Sequence, residues 1–472
     1  MWIAIRLPQL PLEIFLRGSS TPEPFAVEER HCVFACDRKA FARGVRAGMA
    51  VSASLAFAPR LRVVPRDPAA ETEALLGVAG WAAQFTPGVA LEFPDGVLLE
   101  VSGSLKLFGG LEPLLERLRR GLAEMGWSAT LAGAPTPRAA FWLALAGKQK
   151  FIGSMVELEP ALAVSPVEVL RCGDETLEAL EAIGVRTLGE LRALPREGVA
   201  RRFGQELLDE LDRALGRLSD PRNFFVPPER FRAAIELSAE VTQAEALLFA
   251  ARRLIVQLAG FLAARSGGVQ RFVLRLKHRD RATEVAIGLV APSRDAEHFA
   301  LLLRERLSSL ALAEPVREIT LQADDVVPLP GRNLGLLLEQ GKPAGNWEHL
   351  VERLRARLGT DAVYGLVLRA EHRPERAVSA GEPDSKPLHL DFGERPFWLL
   401  DRPKPLAEVS AVPNHEGPLE LLAGPERIES GWWDGDDIAR DYFVARMQSE
   451  ALVWIYRERR SEGGWYLHGV FA

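Results

Sequence analysis

Two short apolar runs constrain this chain more than any other feature. Met1-Trp2-Ile3-Ala4-Ile5-Arg6-Leu7 opens the sequence, and Val97-Leu98-Leu99-Glu100-Val101-Ser102 follows the acidic turn Pro94-Asp95-Gly96. Runs this short and this apolar read as neighbouring core strands. Core strands with acids at their ends are how phosphoryl-transfer enzymes hold two metal ions a few ångströms apart. Here the first run ends on Leu7, Pro8 and Gln9, none of which binds a hard cation as an anion. The pair has the form of a two-metal site and lacks most of its ligands.

The 472 residues are enough for about three to five domains, each with its own core. Apolar and charged shares of 47% and 26% are those of a soluble globular protein. A net charge of -6 excludes a wholly basic coat, so any contact with nucleic acid must come from local patches and be modest in affinity. Cys32, Cys36 and Cys172 cannot make a disulfide framework and fit a reducing compartment. His31, Cys32 and Cys36 suggest a metal site, but HCVFAC reads as a buried strand and supplies no fourth ligand, so no metal is expected. No apolar run reaches the roughly 20 residues that span a bilayer, and a signal core is absent from the start, so a cytoplasmic protein is expected.

The order of elements predicts a multidomain α/β (α+β) protein. LEIFLRG reads as a short helix. CVFAC and DRKAFARG then give a strand and a helix, and Gly44 and Gly48 permit tight turns. ETEALLGVAGWAAQF has helical spacing, and LEFPDGVLLEVSGS reads as a hairpin. From 160 to about 220 the chain becomes short helices, with EGVARRFGQELLDELDRALG as the last of them. LEAIGVRTLGELRAL has the spacing of a helix-hairpin-helix whose turn offers N–H groups to a phosphate; a packing turn in a helical bundle fits equally well.

Residues 231 to about 327 alternate strand, helix, strand, strand, helix, strand, which predicts a four-stranded sheet with two helices on one face. In VQRFVLRLKHR the alternation sends Phe272, Leu274 and Leu276 inward and Arg271, Arg275 and Lys277 outward; Arg279 and Arg281 extend the row. Such a row is a phosphate track or a solvated edge. The remainder is rich in Pro and Gly with islands of order, and five of the ten tryptophans lie after residue 390, which predicts a small β module with an aromatic surface.

At this point the residues resemble a family. VRAGMAVSASLAFAPRL, LLEVSGS and TLGELRALP are similar to the fingers, palm strand and thumb of the Y-family, or translesion, DNA polymerases. LEVSGSLKLFGG, ARRFGQELLDELDRALGR, RPFWLLDRPKP, PERIESGWWDG, RDYFVAR and GWYLHGVFA resemble the polymerase-like subunits of bacterial damage-inducible mutagenesis cassettes. The resemblance implies a palm over 1–22 and 67–158, fingers over 23–66, a thumb over 159–226 and a little finger over 231–330. A clamp-binding linker over 331–345 and a partner-binding region over 346–472 would follow.

Laid on the family pattern, the metal-binding positions fall on Leu7, Gln9, Asp95 and Gly96, so at most one ligand survives. Two divalent ions held by one carboxylate would repel each other, and in-line transfer would lose its clamp. Glu100 is no substitute: five residues along a strand place it about 17 Å from Asp95 and on the opposite face. The fingers residues that contact a nucleotide fall near Arg38 and Phe41, and Lys150 near the palm lysine. The resemblance implies contact of Arg201, Arg202, Arg271, Arg275, Lys277, Arg279 and Arg281 with DNA. The family's clamp-binding peptide falls on Asn333-Leu334-Gly335-Leu336-Leu337, weakened by Asn at its polar anchor and Leu in place of an aromatic. An ordinary apolar loop is the other reading of that segment.

Implied partners are DNA, the sliding clamp, the RecA-like protein ImuA and an error-prone DnaE-type polymerase, with no cofactor and no membrane. Trp432, Trp433, Tyr442, Phe443, Trp465 and Tyr466 are the candidate contacts for protein partners, each of which could instead be core; His468 reads as a packed histidine. The expectation is a non-catalytic adaptor of translesion synthesis under the damage response. An active translesion polymerase with an unrecognised acid set and a simple DNA-binding module are its rivals.

Overall fold

The computed structural model describes residues 1–18, 23–329, 345–383, 394–460 and 463–471, in two compact units, Met1–Arg357 and Leu358–Ala472. The first unit begins with β1 (Trp2–Arg6) and α1 (Leu10–Leu16). A small subdomain follows: β2 (Phe25–Glu29), β3 (Cys32–Cys36), α2 (Arg38–Ala42), α3 (Val51–Phe57) and β4 (Arg62–Pro65). Then come α4 (Pro68–Ala82), β5 (Gly88–Glu92), β6 (Gly96–Glu100), α5 (Leu111–Glu124), β7 (Thr130–Ala134) and α6 (Pro137–Leu145).

The first sheet has the order β5-β6-β1-β7 with every neighbouring pair antiparallel. β1 is central because its run is apolar on both faces: Ile3 and Ile5 pack with Leu75, Leu115 and Leu118 of α4 and α5, while Ala4 packs with Phe141 and Trp142 of α6. β5 and β6 form the expected hairpin, Glu92 opposite Gly96. In the small subdomain β3-β2-β4 make a three-stranded sheet, and Asp37 caps α2 by accepting from Ala40 N at 2.8 Å. β3 is not the buried strand expected of HCVFAC: Cys32 is exposed and Phe34 is 39% exposed. The three strands pack on α1 through Leu12, Phe25 and Val27 and on the short α2 and α3, which leaves alternate positions of β3 in solvent.

A helical segment follows, with α7 (Met155–Ala163), α8 (Asp174–Ala182), α9 (Leu188–Ala193), α10 (Arg196–Phe203) and α11 (Gln205–Ala214). The single helix expected over EGVARRFGQELLDELDRALG is two, broken where Gly204 takes φ +91°. Only glycine adopts that conformation at little cost, so the helix ends there.

The second sheet contains β8 (Phe231–Val241), β9 (Gly267–Lys277), β10 (Ala282–Ser293), β11 (Val316–Ala323) and β12 (Val326–Pro328), with α12 (Leu247–Ala264) and α13 (Ala296–Ser308) between them. Its order is β10-β9-β11-β8, and β12 pairs with β9. Phe272, Leu274 and Leu276 are buried under α12 and α13, as the alternation predicts. α12, extended by the turn before it, is apolar and long enough by composition to cross a membrane, against the expectation of no such run, but here it is the core helix of this domain. α14 (Gly345–Leu358) packs on the same domain through Val351 and Glu352, both buried.

The two sheet domains of this unit are joined closely. Trp81 of α4 sits between Gly121 of α5 and Gly260 of α12, where a Cβ would come within 2.1 and 2.2 Å of the ring. Buried Arg17 lies 4.3 Å over Trp127 and donates to Ala234 O of β8 at 3.2 Å. Burial, with help from Arg253, pushes its guanidinium down to about 9. Beside this joint a cavity of about 580 Å³ is lined by Phe15, Trp81, Phe225, Phe231 and Phe261.

The second unit holds the hairpin β13 (Gly365–Leu368) and β14 (Val378–Gly381). It also holds β15 (Trp398–Val409), β16 (Val412–Asn414), β17 (Glu420–Ser430), β18 (Ile438–Arg446), β19 (Leu452–Glu458) and β20 (Trp465–Val470). These six form one sheet in the order β16-β15-β20-β19-β18-β17, the small β module expected from the aromatic tail. One core gathers Ala445, Ile455, Trp465 and Leu467, and a second gathers Ile428, Tyr442, Trp454 and Tyr456.

Candidate functional site

β1 and β6 lie side by side with Arg6 opposite Gly96, so the two sequence runs meet as their pattern requires. At their shared end Leu7 N donates to Asp95 O at 2.8 Å. Leu7 is fully buried in the first core, and Gln9 is exposed at the start of α1.

Asp95 is held from both sides. Arg6 Nε donates to its Oδ2 at 3.1 Å, and Arg171 of the helical segment donates to its Oδ1 at 2.6 Å. Arg6 also donates to Leu145 O at 3.2 Å, and the Arg171 guanidinium lies 5.1 Å from the centre of the Phe141 ring. Guanidinium–carboxylate pairs of this kind are charge-assisted and directional. They engage both oxygens of the carboxylate.

The next position is closed by shape. A Cβ at Gly96 would lie 2.4 Å from the Phe141 ring and 2.9 Å from Glu92 O. No acidic side chain fits there with the ring in place. Glu100 stands at the far end of β6, where the amino terminus lies 3.3 Å away and Ser102 N donates at 3.1 Å. Burial raises its carboxyl, but the hydrogen bonds from Ser102 and the amino terminus outweigh this and hold it below the usual range. Asp95 and Glu100 do not converge.

The basic row on β9 is exposed at Arg271, Arg275 and Lys277, as are Arg279 and Arg281 beyond it. It is partly neutralised by neighbours that the linear pattern hides. Lys277 pairs with Glu318 at 2.8 Å, Arg281 pairs with Glu314 at 3.1 Å, and Arg275 stands opposite Glu284 in register. Arg201 and Arg202 are exposed on the last turn of α10.

The turn between α8 and α9 is present, but Arg186 N and Thr187 N donate to Glu190 Oε2 at 2.8 and 2.9 Å. Those hydrogen bonds pull the Glu190 carboxyl down. The donors expected to meet a phosphate are taken by a capping box.

A second basic surface lies in the small subdomain. Residues 38 to 66 hold seven cations, Arg38, Lys39, Arg43, Arg46, Arg60, Arg62 and Arg66, and no acid, although Arg66 is paired with Glu71 at 2.8 Å and Glu29 at 3.2 Å. Arg46 stacks 3.7 Å over Phe41, and Phe41 and Phe57 are each 55% exposed. Exposed aromatics among cations form a platform that suits single-stranded nucleic acid. The signal was in the sequence as a charge run inside a chain of net negative charge.

The aromatic candidates of the second unit divide. Trp432 and Trp433 are 79% and 58% exposed, on a turn held by Arg373, which donates to both Asp434 oxygens at 3.0 and 2.7 Å and to Asp436 O at 3.0 Å. Tyr442 is a correction: it is fully buried, stacked on Trp454, and its hydroxyl meets His468 Nδ1 at 2.8 Å. Trp465 is likewise core, and Phe443 packs beside it. Tyr466 is half-buried against Tyr456. Neighbouring strand positions send Tyr442 and Phe443, and Trp465 and Tyr466, to opposite faces, and each face of the sheet carries a core, so these rings are covered while the turn leaves its pair outside. Asn333, Leu334, Gly335, Leu336 and Leu337 lie outside the described residues.

Comparison with known proteins bears on these features. Residues 17–144 match the family model for the impB/mucB/samB family. The chain is 29% identical over 457 residues to Protein ImuB of Caulobacter vibrioides, covering 91% of this chain and all of that one. It is 26% identical over 290 residues to DNA polymerase IV of Shewanella sp. strain W3-18-1, covering 57% of this chain and 80% of that one. Among solved structures it aligns with the Dbh ternary complex at TM-score 0.40 and 17% identity, over 70% of this chain and all of the other. The chain is therefore similar to Protein ImuB along most of its length and to the impB/mucB/samB family over residues 17–144, as its sequence blocks indicated.

Proposed function

We propose that this polymerase-like relative of ImuB is a non-catalytic adaptor of translesion synthesis. It would join the sliding clamp, ImuA and an error-prone DnaE-type polymerase at damaged DNA. The observation that carries the reading is the state of Asp95. Its two oxygens are engaged by Arg6 and Arg171, while Leu7 is buried and Phe141 closes the space at Gly96. Two-metal phosphoryl transfer needs carboxylates free to bridge cations. A palm in this state serves as a shape.

Binding surfaces support the rest of the reading. The cations and exposed rings of residues 38 to 66 suit a strand of DNA, and the Trp432–Trp433 turn, fixed by Arg373, suits a protein partner. Rigid exposed aromatics carry a large share of interface energy. The clamp contact is assigned to Asn333-Leu334-Gly335-Leu336-Leu337 from the peptide's form.

A pull-down from full-length protein with clamp, ImuA and the DnaE-type polymerase tests the reading. Changing Leu334, Leu336 and Leu337 to Ala is expected to abolish clamp capture and leave the other partners. Trp432→Ala with Trp433→Ala is expected to weaken the other partners and leave the clamp. Loss of neither sinks the adaptor reading.

A further inference from the structure

The first unit ends with three side chains that the adaptor reading does not use. His298 lies in the first turn of α13, and His349 and Glu352 lie on α14. His298 Nε2 is 2.5 Å from Glu352 Oε2, and the two imidazole rings stack with centroids 3.9 Å apart. One ligand atom from each residue falls within 4.8 Å of the others. The side chains of His298 and Glu352 are each 4% exposed, and His349 opens to solvent.

We propose that His298, His349 and Glu352 form a zinc site that fastens α14 to the second sheet domain. Three facts carry this. His349 and Glu352 are three positions apart on a helix, so they share a face, and that face meets α13. Val290 N donates to Glu352 Oε1 at 2.7 Å, which fixes the carboxylate and leaves Oε2 directed at the imidazoles. Such a backbone contact is the usual outer-shell support of a metal-binding carboxylate. Third, a buried carboxylate needs a cation close by, and two imidazole nitrogens with one carboxylate oxygen are a zinc donor set.

The rearrangement is small. Tetrahedral zinc places its ligand atoms about 3.3 Å from one another, so His298 Nε2 and Glu352 Oε2 must part by under about 1 Å. The exposed His349 ring can turn to bring its nitrogen to the ion, and water takes the fourth position on the solvent side. Zinc takes the lone pair of a neutral imidazole, so the hydrogen held between His298 and Glu352 moves from Nε2 to Nδ1 when the ion binds. The ion would act as a staple for α14, whose other buried anchor is Val351.

The test uses full-length protein stripped with a chelator and titrated with zinc against a chromophoric competitor, and with cobalt(II) read by visible absorption. One equivalent of zinc and an intense tetrahedral cobalt band are expected. His349→Ala, an exposed change that leaves the fold intact, should weaken zinc by at least tenfold and abolish the band. A Cys32→Ser, Cys36→Ser double variant should change neither. Zinc should also slow amide exchange over residues 347 to 357 in the wild type and not in His349→Ala. No saturable binding, equal binding by His349→Ala, or loss of binding in the cysteine variant would each overturn the site. None of these readouts depends on partner capture, so failure here leaves the adaptor reading standing.

Discussion

Arg171 reaches Asp95 at 2.6 Å across 76 positions of sequence, and Arg6 takes the other oxygen at 3.1 Å. The Asp95 carboxylate therefore works as the partner of two arginines. It ties the helical segment to the first sheet.

That tie predicts a stability role for Asp95. Asp95→Ala leaves two guanidinium groups without their acid. Each is only partly buried, so solvent screens the loss to about 1 kcal/mol. Thermal unfolding should show a lower midpoint for Asp95→Ala, and an unchanged or higher midpoint would contradict the ion-pair account.

Gly96 should resist restoration of an acid. With the Phe141 ring 2.4 Å from the place of a Cβ, Gly96→Ala is expected to cost about 1–3 kcal/mol, and Gly96→Asp at least as much. Adding Phe141→Ala should recover part of the packing loss. Equal stability of Gly96→Asp and wild type by denaturant melting would mean that the ring moves freely and the site is open.

The second unit should be acid-sensitive through His468. Burial pushes this imidazole from 6.5 down to about 4. Between those values the unfolded chain takes up a proton that the folded module refuses. Stability is therefore full above pH 6.5 and falls by up to about 3 kcal/mol as pH drops to 4. His468→Gln should flatten the slope of melting temperature against pH in this range; a flat wild-type profile would refute the linkage. At lower pH a second loss follows. Hydrogen bonds from Arg373 hold Glu371 and Asp434 at about 2, so what these acids contribute is present above about 4 and lost as pH falls toward 2.

DNA affinity should rest more on residues 38 to 66 than on β9. Arg43→Glu with Arg46→Glu is expected to weaken single-stranded DNA at least tenfold and to make binding less steeply salt-dependent, by about 0.7 per lost phosphate contact. Lys277→Glu should change little, because Glu318 already occupies Lys277. The reverse ranking, measured by fluorescence anisotropy at two salt concentrations, would move the DNA surface to the sheet.

Much of this was legible in the sequence because periodicity reports burial. The doubly apolar β1, the β5–β6 hairpin and the strand-helix order of the second sheet domain follow from local pattern. What was hidden depends on contacts between distant positions. Nothing near Asp95 in sequence announces Arg171, nothing in VQRFVLRLKHR announces Glu318, and Glu190 reveals its capping role only when its carboxylate is seen on Arg186 N. The aromatic tail shows the same limit: composition marks it as sticky, and only strand register separates buried Tyr442 and Trp465 from exposed Trp432 and Trp433. The seven cations of residues 38 to 66 are readable in the sequence, and the net charge of -6 hides them.

Primer extension by the pure protein tests the central claim most directly. On a primed template with all four deoxynucleotides, and with magnesium or manganese, no product longer than the primer is expected, at any protein concentration that saturates the DNA. Nucleotide incorporation that disappears in Asp95→Ala would contradict the account and make the Asp95 region an active site.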